Sequence, residues 1–212
     1  MPLLETLRQA DLATLYQINT GWITPWADRL MLIVSAPKFF FWPGLLAVIA
    51  LLRYGHFRER LLLVLLALAV TLGDGVIDNY GKKIFHRPRP NEALTGVRIV
   101  ETNGIRWAYP RTDPGGRSFP SGHAFNNVAL AMVVCAVYRK RTRWVFLIWL
   151  WALLVSYSRV YLGAHYPSDI LGSWLIAIGY SWAILAGTAA LWRHHASRLF
   201  PKLATAHPEL LG

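Results

Sequence analysis

Residues 158–169 read Ser-Arg-Val-Tyr-Leu-Gly-Ala-His-Tyr-Pro-Ser-Asp and separate two long apolar runs. Gly163 and Pro167 mark a turn, and Pro167 suits the first position of a helix, where its missing N–H would have had no partner. That register places His165 just before the new helix and Asp169 in its first turn, four residues on and within reach. An Arg, a His and an Asp are costly between two membrane-length segments, which marks Arg159, His165 and Asp169 as a candidate site. The plain alternative is a loop whose Arg is solvated and whose Asp complements the helix dipole. The rest of the chain decides between the two.

Outward from this turn, long apolar runs occupy residues 61–72, 128–137, 144–155 and 170–191. Hydrophobic residues make up 55% of the 212 residues and charged residues only 16%, too apolar a balance for a soluble globule. With its flanks, each run approaches or exceeds the roughly 20 residues that a helix needs to cross a bilayer. The expected fold class is all-α: a polytopic transmembrane bundle of five to six spans with an N-terminal amphipathic helix, in a single domain over residues 1–212.

In residues 3–19, Leu4, Leu7, Leu15 and Ile18 recur at helical spacing between Glu5, Arg8, Asp11 and Gln17, so this helix is expected on the membrane surface. A break at 20–25 precedes an apolar stretch at 26–52. Pro37-Lys38 and Pro43 interrupt that stretch, leaving either one kinked span or a short helix followed by a span from near Phe39. Further spans are expected at 59–82, 121–138, 144–162 and 168–192, with an ordered loop outside the membrane at 86–119 and a short polar tail. Glu5 comes early and no basic segment precedes a short apolar core, so the first span is expected to act as an uncleaved insertion signal. The single Cys135 lies in an apolar run and offers no disulfide framework.

The formal charge is +11. Much of it sits at segment ends, in clusters at 53–60, 139–143 and 193–198, as the positive-inside rule expects of cytoplasmic loops. No basic surface is interleaved with base-stacking aromatics outside the apolar runs, so no nucleic-acid partner is expected. Trp26, Trp42, Trp107, Trp144 and Trp192 near segment ends fit an interfacial aromatic belt. If the basic clusters face the cytoplasm, residues 82–90, 120–123, 158–165 and Asp169 all emerge on the opposite face.

The first of these segments, Lys82-Lys-Ile-Phe-His-Arg-Pro-Arg89-Pro90, could be no more than an interfacial anchor. Asp78 lies four residues before Lys82 and suits a pairing with it, or with Asp74 it lines a wet cavity. In the second, Phe119-Pro-Ser-Gly-His123, Ser121 suits an N-cap and Gly122 lets backbone approach a ligand closely. A helix start of this kind is a ready anion site. Together, Lys82, Arg89, Arg159, Ser121 and the Gly122 backbone supply more positive charge and donor capacity than a neutral ligand needs. They suit a phosphoryl group, whose transition state spreads negative charge over three oxygens. A metal is the competing reading for two His and an Asp. Cationic neighbours would repel a divalent ion, and the three motifs hold no further carboxylate, so no metal or other cofactor is expected.

Lys-x6-Arg-Pro (Lys82, Arg89, Pro90), Pro-Ser-Gly-His (120–123) and Ser-Arg-x5-His-x3-Asp (158–169) resemble the tripartite signature of the type 2 phosphatidic acid phosphatase superfamily at every position. The resemblance covers residues 59–192. It implies a metal-independent lipid phosphatase built as a transmembrane bundle, with its site facing the periplasm or lumen and an anionic lipid phosphate as substrate. It also implies that His165 attacks phosphorus to form a phosphohistidine and that Asp169 accepts the other ring N–H of His165. His123 then protonates the leaving oxygen and later activates water, while Lys82, Arg89, Ser121, Gly122 and Arg159 hold the phosphate. The residues alone lead to the phosphate cradle and do not choose which histidine attacks.

Residues 118–126 resemble small bacterial members acting on undecaprenyl diphosphate or lipid A. Undecaprenyl diphosphate is therefore the expected substrate, with lipid A, phosphatidylglycerophosphate and phosphatidate as alternatives, in a bacterial inner membrane. A lipid-to-lipid phosphotransferase would use the same histidine. Vanadium-dependent haloperoxidases share the anion pocket but lack the apolar spans, and a lipid binder or transporter would need the cations without His165 and Asp169. Arg98, Arg106, Arg111 and Arg117 in the 91–119 loop are expected to be solvated rather than to guide headgroups.

Overall fold

A computed structural model describes residues 2–138 and 142–211, so residues 139–141 of one basic cluster lie outside the described residues. Helix α1 (Pro2–Tyr16) passes into a π-helical turn, Gln17–Gly21. Leu3, Leu4 and Leu7 on its first turns are exposed, as a surface helix requires. Its last turn is not on the surface: Leu15 is buried among Val97, Ile99, Ala108, Val160 and Tyr166. Half of the amphipathic helix thus docks on the protein.

Helix α2 (Pro25–Ser35) starts where Thr24 Oγ accepts from the Ala27 N–H and Pro25 takes the first helical position. It stops at Ala36, whose extended backbone is the conformation favoured before a proline. Helix α3 (Lys38–Tyr54) follows at a bend of 45°, so residues 26–52 form a bent pair with its break at Pro37; Pro43 sits inside α3 without ending it. Helix α4 (Phe57–Leu72) runs through a π-helical segment, Gly73–Asp78, into α5 (Asn79–Phe85).

The polar segment that follows contains a short helix, α6 (Pro90–Ala93), and an antiparallel hairpin of β1 (Arg98–Glu101) and β2 (Gly104–Trp107), with Arg98 opposite Trp107. The expected ordered loop therefore carries strands, for which Asn103-Gly104 between β-branched residues is the local signal. Of its arginines, Arg106 pairs with Glu101 and Arg111 with Glu92, both near the surface. Arg98 departs from the solvated expectation. It is buried, pairs with Asp28 of α2 and lies against the Tyr161 ring, tying the hairpin to the bundle.

Helices α7 (Gly122–Tyr138), α8 (Phe146–Tyr161) and α9 (Pro167–Leu199) complete the bundle, and α10 (Pro201–Ala206) ends it. The central helix is α7. Its Ala129, Val133 and Val137 pack against Leu62, Leu65 and Ala69 of α4 and Leu185 of α9, while Phe125 and Val128 meet Ala152 and Ala177. The outer faces expose large apolar side chains such as Leu46, Ile49, Leu150, Leu153, Leu171 and Leu175, which only lipid would cover favourably. Among the described residues, three helical stretches are long and apolar enough to cross a membrane, four with the bent pair, and α7 is shorter at 17 residues. This is a multi-pass membrane protein.

At 33 residues, α9 is about 50 Å long, well beyond a bilayer core. The basic cluster at 193–198 therefore lies in its last turns rather than in a polar tail. At that end of the bundle, Phe57 stacks on His207 at 4.5 Å, Trp192 Nε1 donates to the His207 carbonyl at 2.9 Å, and the Tyr138 hydroxyl lies 3.2 Å from Glu59. Among the described residues, the start of α4 and the ends of α7 and α9 thus meet, and the opposite ends of these helices lead into the polar motifs.

Candidate active site

Segments more than eighty residues apart in the chain converge on one cavity of about 480 Å³. Lys82, Arg89, Gly122, His123, Arg159 and His165 line it, as expected from the sequence. Asp74, Asp78, Asn126 and Asn127 complete the polar wall. Ser121 and Asp169 stand behind it.

The cations reach the cavity in different ways. Lys82 lies one turn beyond Asp78, whose Oδ2 accepts from Nζ at 2.5 Å, and Asp74 a turn earlier accepts from Asn126 Nδ2 at 2.8 Å. Asp78 makes the pairing, and both acids line the cavity. The π-helical segment that carries them is the kind of bulge that re-aims side chains at functional sites. Arg89 sits at the start of α6. Arg159, in the last turn of α8, donates through Nη1 to Ser35 Oγ at the end of α2, a partner nothing in the sequence indicates.

His165 is presented by the turn at Gly163. That residue has φ of +69°, and a Cβ there would lie 2.5 Å from Val97 Cγ1, so only glycine lets the turn close against the hairpin. The ring's Nδ1 lies 2.6 Å from the Ser118 carbonyl. A carbonyl only accepts, so Nδ1 carries the proton and Nε2 keeps the lone pair of a neutral imidazole.

The direct bond expected between Asp169 and His165 is replaced. Asp169 Oδ2 is 3.8 Å from Nδ1, and the carboxylate instead accepts from Ser118 Oγ at 2.5 Å, the Tyr166 N–H at 3.0 Å and Arg87 Nη1 at 2.7 Å. The cause is local: Asp169 is the third residue of α9 and turns back to cap the N–H at the helix start. Ser118 therefore bridges the two, its hydroxyl on the acid and its carbonyl on the imidazole. Neither Ser118 nor Arg87 stands out in the sequence as a site residue.

Ser121 departs from the N-cap expectation alone. Its Oγ caps nothing and has no partner among the described residues, while its backbone N–H donates to Ser173 Oγ at 2.8 Å.

Five groups lining the cavity are likewise buried and make no hydrogen bond among the described residues: two are the acceptor oxygens Asp78 Oδ1 and Asn126 Oδ1, and three are the nitrogens Arg89 Nε, His123 Nε2 and Arg159 Nε. Such groups are rare in folded proteins because each forfeits its solvation without return. The convergence of the three nitrogens beside Lys82 gives a cavity shaped to receive an oxyanion. Burial pushes the His165 pKa below its ordinary value; nearby Asp169 opposes this and Arg159 adds to it. The shift favours the neutral imidazole, with its lone pair on Nε2.

A second cavity, of about 450 Å³, adjoins the first and is apolar, walled by Val34, Phe40, Phe41, Leu130, Trp151 and Val155. Pro37, His123 and Asn127 line both. His123 therefore stands where a polar, cationic chamber meets an apolar groove between helices.

The arrangement can be compared with known proteins. The lipid A 4′-phosphatase of Bacteroides thetaiotaomicron is 33% identical over 129 residues, covering 59% of this chain and 54% of its own. The undecaprenyl-diphosphatase of Sulfolobus acidocaldarius is 30% identical over 115 residues, covering 54% and 48%. The chain thus spans about half the length of these curated relatives. The crystal structure of Aquifex aeolicus LpxE superposes with a TM-score of 0.63 at 24% identity, over 82% of this chain and 94% of that one, a likeness of fold. A model of the PAP2 superfamily matches residues 60–193, a stretch that holds every cation and both histidines of the cavity. The chain belongs to the PAP2 superfamily.

Proposed function

We propose that this protein is a lipid phosphate phosphatase that works without a metal, through a phosphohistidine at His165. One observation carries this reading: the cation-lined chamber and the apolar groove share His123, so a phosphate seated in the first leaves its lipid portion in the second. His165 Nε2 attacks phosphorus, the bond from phosphorus to the leaving oxygen breaks, and His123 gives that oxygen a proton. His123 then takes a proton from water, which attacks the phosphohistidine, releases inorganic phosphate and restores the imidazole. Lys82, Arg89 and Arg159 stabilise the negative charge that a metal would otherwise neutralise, and the same cations repel a divalent ion from the imidazoles. The gathering of basic segment ends opposite the site supports a bacterial inner-membrane protein with its site facing outwards.

Undecaprenyl diphosphate is the first candidate substrate. A lipid A phosphate is the second, favoured by the relative from Bacteroides thetaiotaomicron, which matches the longer stretch of the two relatives. The test is phosphate release by detergent-purified protein in excess EDTA, with undecaprenyl diphosphate, lipid A, phosphatidylglycerophosphate and phosphatidate offered in parallel. EDTA-resistant release is expected, and the ranking of rates names the lipid. Release abolished by EDTA and restored by a divalent metal would overturn the metal-free chemistry. Transfer to an added acceptor lipid in place of release to water would favour a phosphotransferase.

The His165 environment also fixes a pH dependence. The attacking imidazole must be neutral, so kcat/KM falls as pH drops through its pKa in the free protein. Because burial lowers that pKa, the acid limb of kcat/KM is expected below the ordinary imidazole value of about 6.5. An acid limb at or above that value would contradict the neutral buried nucleophile.

A further inference from the structure

Asp11 lies on α1, ahead of the segment matched to the family, and still reaches the active site. Its side chain is 11% exposed. Oδ1 accepts from the Ser168 N–H at 2.8 Å, and Oδ2 accepts from Ser168 Oγ at 2.5 Å and from Arg87 Nη2 at 2.8 Å. The other terminal nitrogen of the same guanidinium, Nη1, donates to Asp169 Oδ1 at 2.7 Å and to Ser168 Oγ at 2.8 Å. Arg87 is kept in plane by the Tyr166 ring, 4.1 Å from its centre. From Asp169 the path continues through the Ser118 hydroxyl to the Ser118 carbonyl and His165 Nδ1.

We propose that Asp11 is a positioning residue for the active site, holding Asp169 through Arg87 and Ser168 and, through Ser118, the His165 imidazole. The proposal rests on the phosphatase reading for its consequence in turnover, and on geometry alone for its effect on the ring.

Two features separate this from simple docking of α1. Contact with Ser168 alone would seat the helix, whereas sharing one guanidinium ties Asp11 to a fully buried carboxylate. Charge gives the sharing a purpose. Arg87 paired with Asp169 alone would cancel the negative charge that stabilises the positive charge the His165 ring gains as Nε2 bonds phosphorus. Arg87 divided between two carboxylates leaves the trio with a net charge of −1, so Asp169 still presents negative charge 3.8 Å from His165. Arg89, Arg159 and His123 also act on His165, and Asp74, Asp78 and Lys82 line the same cavity; none of them belongs to the trio.

The experiment is a double-mutant cycle on phosphate release. Asp11→Asn is expected to lower kcat about tenfold, because small misplacements of a reacting group are costly, with KM changed less than about twofold. In an Asp169→Asn background the same substitution should have little further effect, since residues acting through one another are not additive. Asp11→Glu keeps the charge and should recover most of the rate. Equal losses from Asp11→Asn in both backgrounds, or losses that follow the folded fraction, would overturn the proposal.

A second readout needs no turnover. Nitrogen NMR of histidine-labelled protein, with His165 assigned through His165→Gln, should show its ring resonances displaced by Asp11→Asn. Unmoved resonances would also overturn the proposal. If the unsubstituted protein hydrolyses none of the lipids, the phosphatase reading is what fails, and the NMR comparison still decides the role of Asp11.

Discussion

Replacing His165 with alanine is expected to cut phosphate release by about 10⁵-fold or more, the scale at which loss of a nucleophile leaves only binding and charge stabilisation. The His165 side chain is 3% exposed, and its Nδ1 bond to the Ser118 carbonyl would be lost, so some stability goes with it. His165→Asn provides the control. Its side-chain amide can still donate to the Ser118 carbonyl, yet it offers no lone pair able to accept a phosphoryl group. Both variants should be inactive, with the asparagine protein closer to the parent in thermal stability. Turnover near the parent rate by either variant would remove His165 from the reaction.

His123 carries the second large effect. It stands between the polar chamber and the apolar groove, where the oxygen linking phosphate to lipid would lie. His123→Ala is expected to slow turnover by about 10²- to 10⁴-fold, the usual contribution of a positioned acid. The loss should depend on the leaving group. A lipid alkoxide leaving from phosphatidate needs its proton, whereas the lipid monophosphate leaving from undecaprenyl diphosphate carries its charge more readily. The variant should therefore be more damaged on phosphatidate than on the diphosphate, measured as the ratio of kcat values against the parent. An equal loss on both would argue that His123 binds phosphate rather than donating a proton.

The parts of this site that were legible in the sequence are those set by local spacing. Asp78 and Lys82 are four apart on a helix and pair as that spacing allows. His165 sits before Pro167 and Asp169 follows in the first turn, as the proline indicates. Segment ends sorted by charge brought the three motifs to one face, and the structure gathers them there. The bend at Pro37 was legible as a break, though its angle depends on packing.

What was not legible depends on contacts between distant residues. Ser35 meets Arg159 across 124 positions, and Asp11 meets Arg87 across 76. A serine at the end of one apolar helix carries no mark of the arginine it will hold. The Asp169–His165 bond shows the opposite difficulty: four-residue spacing allowed it, but the carboxylate is drawn to the helix start, Ser118 and Arg87 instead. For α1, periodicity alone gave an amphipathic face. Its last turn lies on Val97 and Tyr166 rather than on lipid, and only the fold of the 86–119 segment reveals that surface.

The central claim is that a phosphoryl group passes through His165. The direct measurement is to trap it: the protein is mixed with a lipid carrying a radiolabelled terminal phosphate, quenched in alkali, and digested for peptide mapping. The account predicts an alkali-stable, acid-labile label on the peptide containing His165, absent from His165→Asn. Label on any other residue, or rapid turnover with no covalent label at any time after mixing, would contradict it.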